Sequence, residues 1–192
     1  NIFEPLGMVD TAFSVPSGSE QRFASCYFPK GADKSAALLD DAQKSPFLSE
    51  PEALSGGGGL VSTMADYHKF TQTLRSGGAL NGQRIVGRKT LEFMTANHLP
   101  GGVDLTEYGR PLFSETAYDG VGFGLGFSVV IDSYKAKVLS QEGEYGWGGA
   151  ASTAFWVDPI EDITLIFLTQ LLPSSTHPIR PEIKALVYQA LL

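Results

Sequence analysis

Covalent catalysis needs a nucleophile beside a base, and the sequence offers few candidates for either. No Ser is followed three residues later by Lys, and no Gly-x-Ser-x-Gly elbow occurs. His68, His98 and His177 lie far apart without metal-ligand spacing, so each reads as a surface or helix-face residue. Cys26, the single cysteine, has no His near it in sequence and reads as a small buried or loop thiol. No metal and no cofactor are expected. Glu142 and Glu144, two apart at an expected strand end, share one face; they could form an acid–base pair or simply a solvated strand edge. The run SGGGG at 55–59 precedes a helical pattern and could present N–H groups to a phosphate. No Lys follows it and no strand clearly leads in, so close packing or a cleft-lining loop competes with that reading.

The segment EYGWGGAAST, Glu144 to Thr153, carries the most unusual composition: a Trp among three glycines, then only small residues. Glycine on an edge strand lets another backbone or an acyl chain lie close. It also lets a backbone N–H face a developing oxyanion. On this reading Gly148, Gly149 and Ala150 form a smooth ledge with Trp147 as the wall above it. The competing reading is a β-bulge beside a core Trp, and the residues alone leave the two open.

The elements that must position this ledge are partly legible. Residues 1–50, punctuated by Pro5, Pro16, Pro29 and Pro46, are expected to be a long irregular connection. A helix is expected at about 62–76. Thr63 and Asp66 stand at capping-box spacing, Met64, Tyr67, Thr71 and Leu74 keep the helical period, and Arg75 and Gly77 mark its end. Asn81-Gly82 signals a two-residue hairpin, residues near 88–96 a short helix, and 97–120 a loop. From 121 the texture becomes strand-like. VGFGLGFSVVID reads as one strand, 135–144 as a possible second, and STAFWV-DPIED-ITLIFLT as an antiparallel hairpin. The run 163–169 is nearly all apolar and is expected to lie centrally, covered on both faces. Ile179, Ile183, Leu186, Val187, Ala190 and Leu191 define the apolar face of a final helix with Pro181 in its first turn.

With 43% apolar and 18% charged residues among 192, the chain is a folded globular one. A net charge of −7 argues against nucleic acid or an anionic membrane as partner. The longest apolar run is too short to span a bilayer. The first residue is Asn, with no basic-then-apolar leader, which suggests a piece of a longer product; the compartment is therefore unreadable.

The order of motifs resembles a known family. IFEPLGMVDTAF (2–13), GGGGLVSTMADYHKFTQTLRSGGALNGQRIV (56–86), FGLGF (123–127), GWGG (146–149), FWVDP (155–159) and LTQ (168–170) look like the C-terminal half of the serine β-lactamase-like superfamily. That superfamily includes class C β-lactamases, D-alanyl-D-alanine carboxypeptidases and family VIII carboxylesterases. The resemblance implies an α+β fold, an antiparallel sheet with helices on both faces beside a helical region. Residues 1–120 would contribute loops and helices of that region, and 121–192 the last strands and helix, the whole forming one partial domain. It also implies that the nucleophilic Ser and Lys of an S-x-x-K motif lie outside this chain. Trp147-Gly148-Gly149 stands where the family has a K-T-G-like triplet. Trp is a neutral N–H donor and cannot replace the Lys that holds a carboxylate, which favours ester hydrolysis or transesterification over penicillin turnover. By the same resemblance the backbone N–H of Ala150 is the oxyanion donor, and Trp147, Tyr145, Ala151 and Gly58 would line the substrate. A small-molecule ester, or a β-lactam or peptide, is the expected substrate. The missing half or self-association is the expected partner. A non-catalytic binding module derived from the same fold is the alternative.

Overall fold

The computed structural model describes residues 1–109 and 117–191; the part of the expected 97–120 loop at 110–116 lies outside them. In chain order the elements are α1 (Phe3–Leu6), β1 (Cys26–Lys30), β2 (Ser35–Asp40), α2 (Met64–Arg75), β3 (Ala79–Leu80), β4 (Gln83–Arg84), α3 (Arg88–Met94), α4 (Leu105–Tyr108), β5 (Val121–Phe123), β6 (Ser128–Val130), α5 (Ser133–Ala136), β7 (Tyr145–Gly148), β8 (Ala154–Asp158), β9 (Ile163–Phe167) and α6 (Ile179–Tyr188). Strands β5 to β9 form one antiparallel sheet in sequential order. Helix α2 packs on β8 and β9 from one side. Helix α6 reaches β7 and β8 through polar side chains from the other. This is the α+β architecture expected.

The core lies on the α2 face. Leu74 of α2 and Leu91 of α3 meet Phe127, Val129, Tyr145, Phe155 and Val157 of the sheet region. The rings of Tyr67 and Phe70 stand edge-on to Phe155, at 5.4 and 6.3 Å between centroids. Each fully buried side chain of this kind contributes about 1.5–3 kcal/mol through removal from water. Thr63 caps α2, its hydroxyl accepting from the Asp66 N–H at 3.3 Å. The reciprocal half of the capping box does not form. The Asp66 carboxylate instead accepts from the Asp10 N–H (2.7 Å), the Thr11 hydroxyl (3.1 Å) and Lys69 (2.8 Å). These bonds fasten the first segment to the helix.

Several expectations are corrected. Within 1–50, β1 and β2 form a hairpin. The stretch 121–132 is two strands, turning through Gly124–Phe127. Residues 135–144 contain the end of a short helix and turns rather than a strand. β9 lies at the sheet edge, with every residue half-buried; this nearly all-apolar strand has no strand on its outer side among the described residues. α6 forms where expected, but none of its residues is fully buried and Leu186 is 62% exposed. Its contacts to the sheet come from Arg180, Lys184 and Tyr188, which recur every four residues along one side.

Candidate functional site

β7 was expected at a sheet edge and is instead the third of five strands. Its ladder to β6 nevertheless stops at the Ser128–Gly146 pair. The Ser128 hydroxyl closes that end by donating to the Gly146 carbonyl at 2.9 Å. Trp147 and Gly148 therefore run past β6, with no strand paired on that side among the described residues. On the other side β7 pairs with β8 in unbroken register, Tyr145 with Val157 through Gly148 with Ala154, so the bulge reading does not hold.

The alternation of a strand puts Tyr145 and Trp147 on one face and Gly146 and Gly148 on the other. Tyr145 is 5% exposed inside the core, its ring 5.4 Å from that of Phe127, and burial raises its hydroxyl pKa to about 12. It is a packing residue and cannot line a substrate, which corrects the expectation for it. Trp147, two residues on, clears the core and is 39% exposed. It stacks on Tyr118 at 6.4 Å and meets Phe123 edge-on at 5.0 Å, forming an aromatic wall.

After Gly148 the chain turns. Gly149 N–H donates to the Thr153 carbonyl (2.8 Å), Ser152 N–H to the Gly149 carbonyl (3.1 Å), and Leu171 N–H to the Ala151 carbonyl (3.1 Å). The Ser152 hydroxyl donates to the Leu171 carbonyl at 2.6 Å. The N–H groups of Ala150 and Ala151 meet no acceptor among the described residues. Ala150 is exposed at the tip and Ala151 is half-buried. The turn thus keeps two backbone donors available within a few residues of Trp147.

The glycines here answer to particular neighbours. A Cβ on Gly148 would sit 2.4 Å from Cζ of Arg180, and one on Gly149 would sit 2.2 Å from Oγ1 of Thr153. Arg180 lies flat against the strand and donates to the carbonyls of Gly149 (2.6 Å) and Thr153 (3.0 Å), the two ends of the turn. A groove of about 120 Å³ follows on this face of the sheet, bounded by Ser128, Gly146, Gly148, Trp156, Arg180 and Lys184.

Glu142 and Glu144 do not converge. Glu142 is exposed in a turn, whereas Glu144 is buried and bonded to Lys184 and to the Tyr188 hydroxyl (2.6 Å). The same hydroxyl lies 2.6 Å from the buried Asp158 carboxylate. Burial pushes the Glu144 carboxyl above its ordinary range, against the pull of Lys184. The single Tyr188 hydroxyl proton is shared between the two carboxylates. The cluster fastens α6 and carries no free acid–base group.

Gly58 sits in an exposed turn whose bonds run to the Ser55 carbonyl (3.4 Å from Gly58 N–H, 2.8 Å from Gly59 N–H). These contacts are local and do not bring Gly58 to β7. Two amides directed inward also weaken the phosphate-cradle reading. Among the described residues no three His, Cys, Asp or Glu side chains gather as metal ligands, and no helix is long and apolar enough to cross a membrane. Cys26 is a free thiol buried on β1.

The site is thus a regular antiparallel sheet between helices, with a glycine-rich strand that runs past its neighbour into a turn whose Ala150 and Ala151 N–H groups meet no acceptor among the described residues. The chain belongs to the beta-lactamase family, whose model matches residues 1–189. Protein Rv1367c of Mycobacterium tuberculosis is 32% identical over 176 residues, covering 90% of this chain and 42% of its own length. In fold the chain is similar to simvastatin synthase LovD from Aspergillus terreus, LovD6 mutant (TM-score 0.78, 20% identity, 98% of this chain and 48% of that one). It is also similar to EstCE1, described as a hydrolase with promiscuous acyltransferase activity (TM-score 0.66, 22% identity, 95% and 47%). A third likeness is to the octameric penicillin-binding protein homologue from Pyrococcus abyssi (TM-score 0.63, 18% identity, 98% and 36%). The chain spans less than half the length of each of these relatives.

The sequence reading missed Arg180. A signal was present: a cation in the first turn of a helix opposes the helix dipole, so its position there calls for a tertiary partner.

Proposed function

We propose that this chain is the C-terminal portion of a serine hydrolase acting through an acyl-enzyme, most at home with esters, as an esterase or transesterase. The supporting observation is the Ala150 N–H, on an exposed residue of a braced turn and without an acceptor among the described residues, three residues from an uncharged Trp147. In this reading a Ser outside these 192 residues attacks the ester carbonyl carbon, and its proton passes to the motif Lys. The carbonyl oxygen becomes an oxyanion held by the Ala150 N–H and the nucleophile's own N–H. Collapse expels the alcohol, which takes the proton, and water or a second alcohol then releases the acyl group. Trp147, Gly148, Gly149 and Ala151 form the ledge along which the acyl chain lies; a β-lactam or peptide is a secondary substrate.

The test is p-nitrophenyl butyrate hydrolysis by this chain and by a longer product of the same gene carrying an S-x-x-K serine. Turnover is expected only from the longer protein. Ala150→Pro, which removes the N–H at a position without positive φ, is expected to lower kcat about 10²–10³-fold. Turnover by this chain alone, or full activity of folded Ala150→Pro protein, would overturn the reading.

A further inference from the structure

We infer that Arg180 is a positioning residue that orients and polarises the peptide bond between Gly149 and Ala150; this rests on the proposed oxyanion role of Ala150. The peptide unit is planar, so fixing its carbonyl fixes the direction of its N–H. The carbonyl of that unit is Gly149 O, and Arg180 donates to it at 2.6 Å. The same guanidinium nitrogen donates to Thr153 O at 3.0 Å. One cation thus ties both ends of the turn whose tip carries the Ala150 N–H.

Gly148 is part of the same device. With a Cβ there, Cζ of Arg180 would be 2.4 Å away, so the absent side chain is what admits the guanidinium against the strand. Gly149 O also accepts from Ser152 N–H at 3.1 Å. A carbonyl accepting two bonds, one from a cation, draws electron density from its amide nitrogen and makes the linked N–H a stronger donor. The stem of Arg180 is carried by α6, which Lys184 and Tyr188 fasten to Glu144 and Asp158 one and two turns further along. The brace therefore stands on a fixed base.

The experiment compares Arg180→Met, Arg180→Lys and Ala150→Pro in the longer active protein, with kcat per titrated active site, KM and Tm. The Ala150 amide resonance is followed in the same longer protein by ¹⁵N NMR. Arg180→Met is expected to shift the Ala150 resonance and to lower kcat on the order of 100-fold with KM nearly unchanged. Arg180→Lys should recover part of that loss. A merely structural role would lower Tm while leaving kcat per active site intact. An unmoved Ala150 resonance, or intact kcat in Arg180→Met beside a crippled Ala150→Pro, overturns the positioning role alone. Intact kcat in both Ala150→Pro and Arg180→Met overturns the oxyanion reading, and the positioning role with it.

Discussion

Gly148 and Tyr188 show how single side chains, absent or present, set the geometry of the ledge. Gly148→Ala forces the Arg180 guanidinium off the strand, because the new Cβ would lie 2.4 Å from Cζ. The guanidinium is the far end of a flexible side chain and can swing away, so the expected cost is that of its lost hydrogen bonds to Gly149 and Thr153, about 1.5–3 kcal/mol, measured by urea denaturation. Tyr188→Phe removes the only hydroxyl lying between Glu144 and Asp158 among the described residues. Leaving those buried oxygens without a donor is expected to cost about 1–3 kcal/mol by the same measurement. Glu144 also gives stability a pH dependence of determinate sign. Burial raises its folded pKa, so the folded chain holds the proton more tightly than the unfolded one. That contribution is complete below the ordinary Glu range near ~4.3 and is lost as pH rises through the raised value. Lys184 and Tyr188 of α6 and Asp158 of β8 are the groups facing it. Glu144→Gln should flatten this slope, read from denaturation midpoints as pH rises from about the ordinary Glu value.

At the scale of elements, Asp104 supplies the opposite sign. Its carboxylate caps α4 through the Glu107 N–H (2.8 Å), accepts from the Gly120 N–H (2.9 Å) at the start of β5, and pairs with Lys135 at 2.6 Å. The Lys135 bond above all holds its pKa down to about 2. Its stabilisation is present above the ordinary Asp value near ~3.9 and disappears as pH falls through the depressed one. Acid titration should therefore release the Gly120 amide, seen as faster hydrogen exchange, before α2 unfolds. The sequence carried the elements whose signals are local. Thr63 marked the start of α2, and Asn81-Gly82, with φ of 50° and 80°, marked the β3–β4 turn. What it could not carry was the neighbourhood. The apolar texture of 121–132 does not say that the chain reverses at Gly124, where a Cβ would meet the Met94 carbonyl at 2.1 Å. Tyr145 and Trp147 have the same strand parity, and only the placement of α2 and α3 decides that one is core and the other wall.

For the whole molecule, the uncovered apolar surfaces are the dominant feature. β9 offers Ile163, Leu165 and Phe167 on an edge with no strand beyond it among the described residues. Leu38 and Leu39 of the β1–β2 hairpin and Leu186 of α6 are more than half exposed. An open apolar edge of this kind pairs with another chain. The isolated 192-residue chain is therefore expected to self-associate in light scattering, and Leu165→Lys to shift it toward monomer. A monomeric parent chain would count against this account of the edge.

The brace across the turn has a further consequence, in the order of synthesis. Arg180 follows Gly149 by 31 residues and Thr153 by 27. At ribosomal rates of about 5–20 residues per second, the ledge emerges roughly 1.5–6 s before the side chain that fixes it. During that interval the turn has its own short hydrogen bonds but no cation at its ends. The nascent sheet can thus assemble first, and the direction of the Ala150 N–H is set later, when α6 docks.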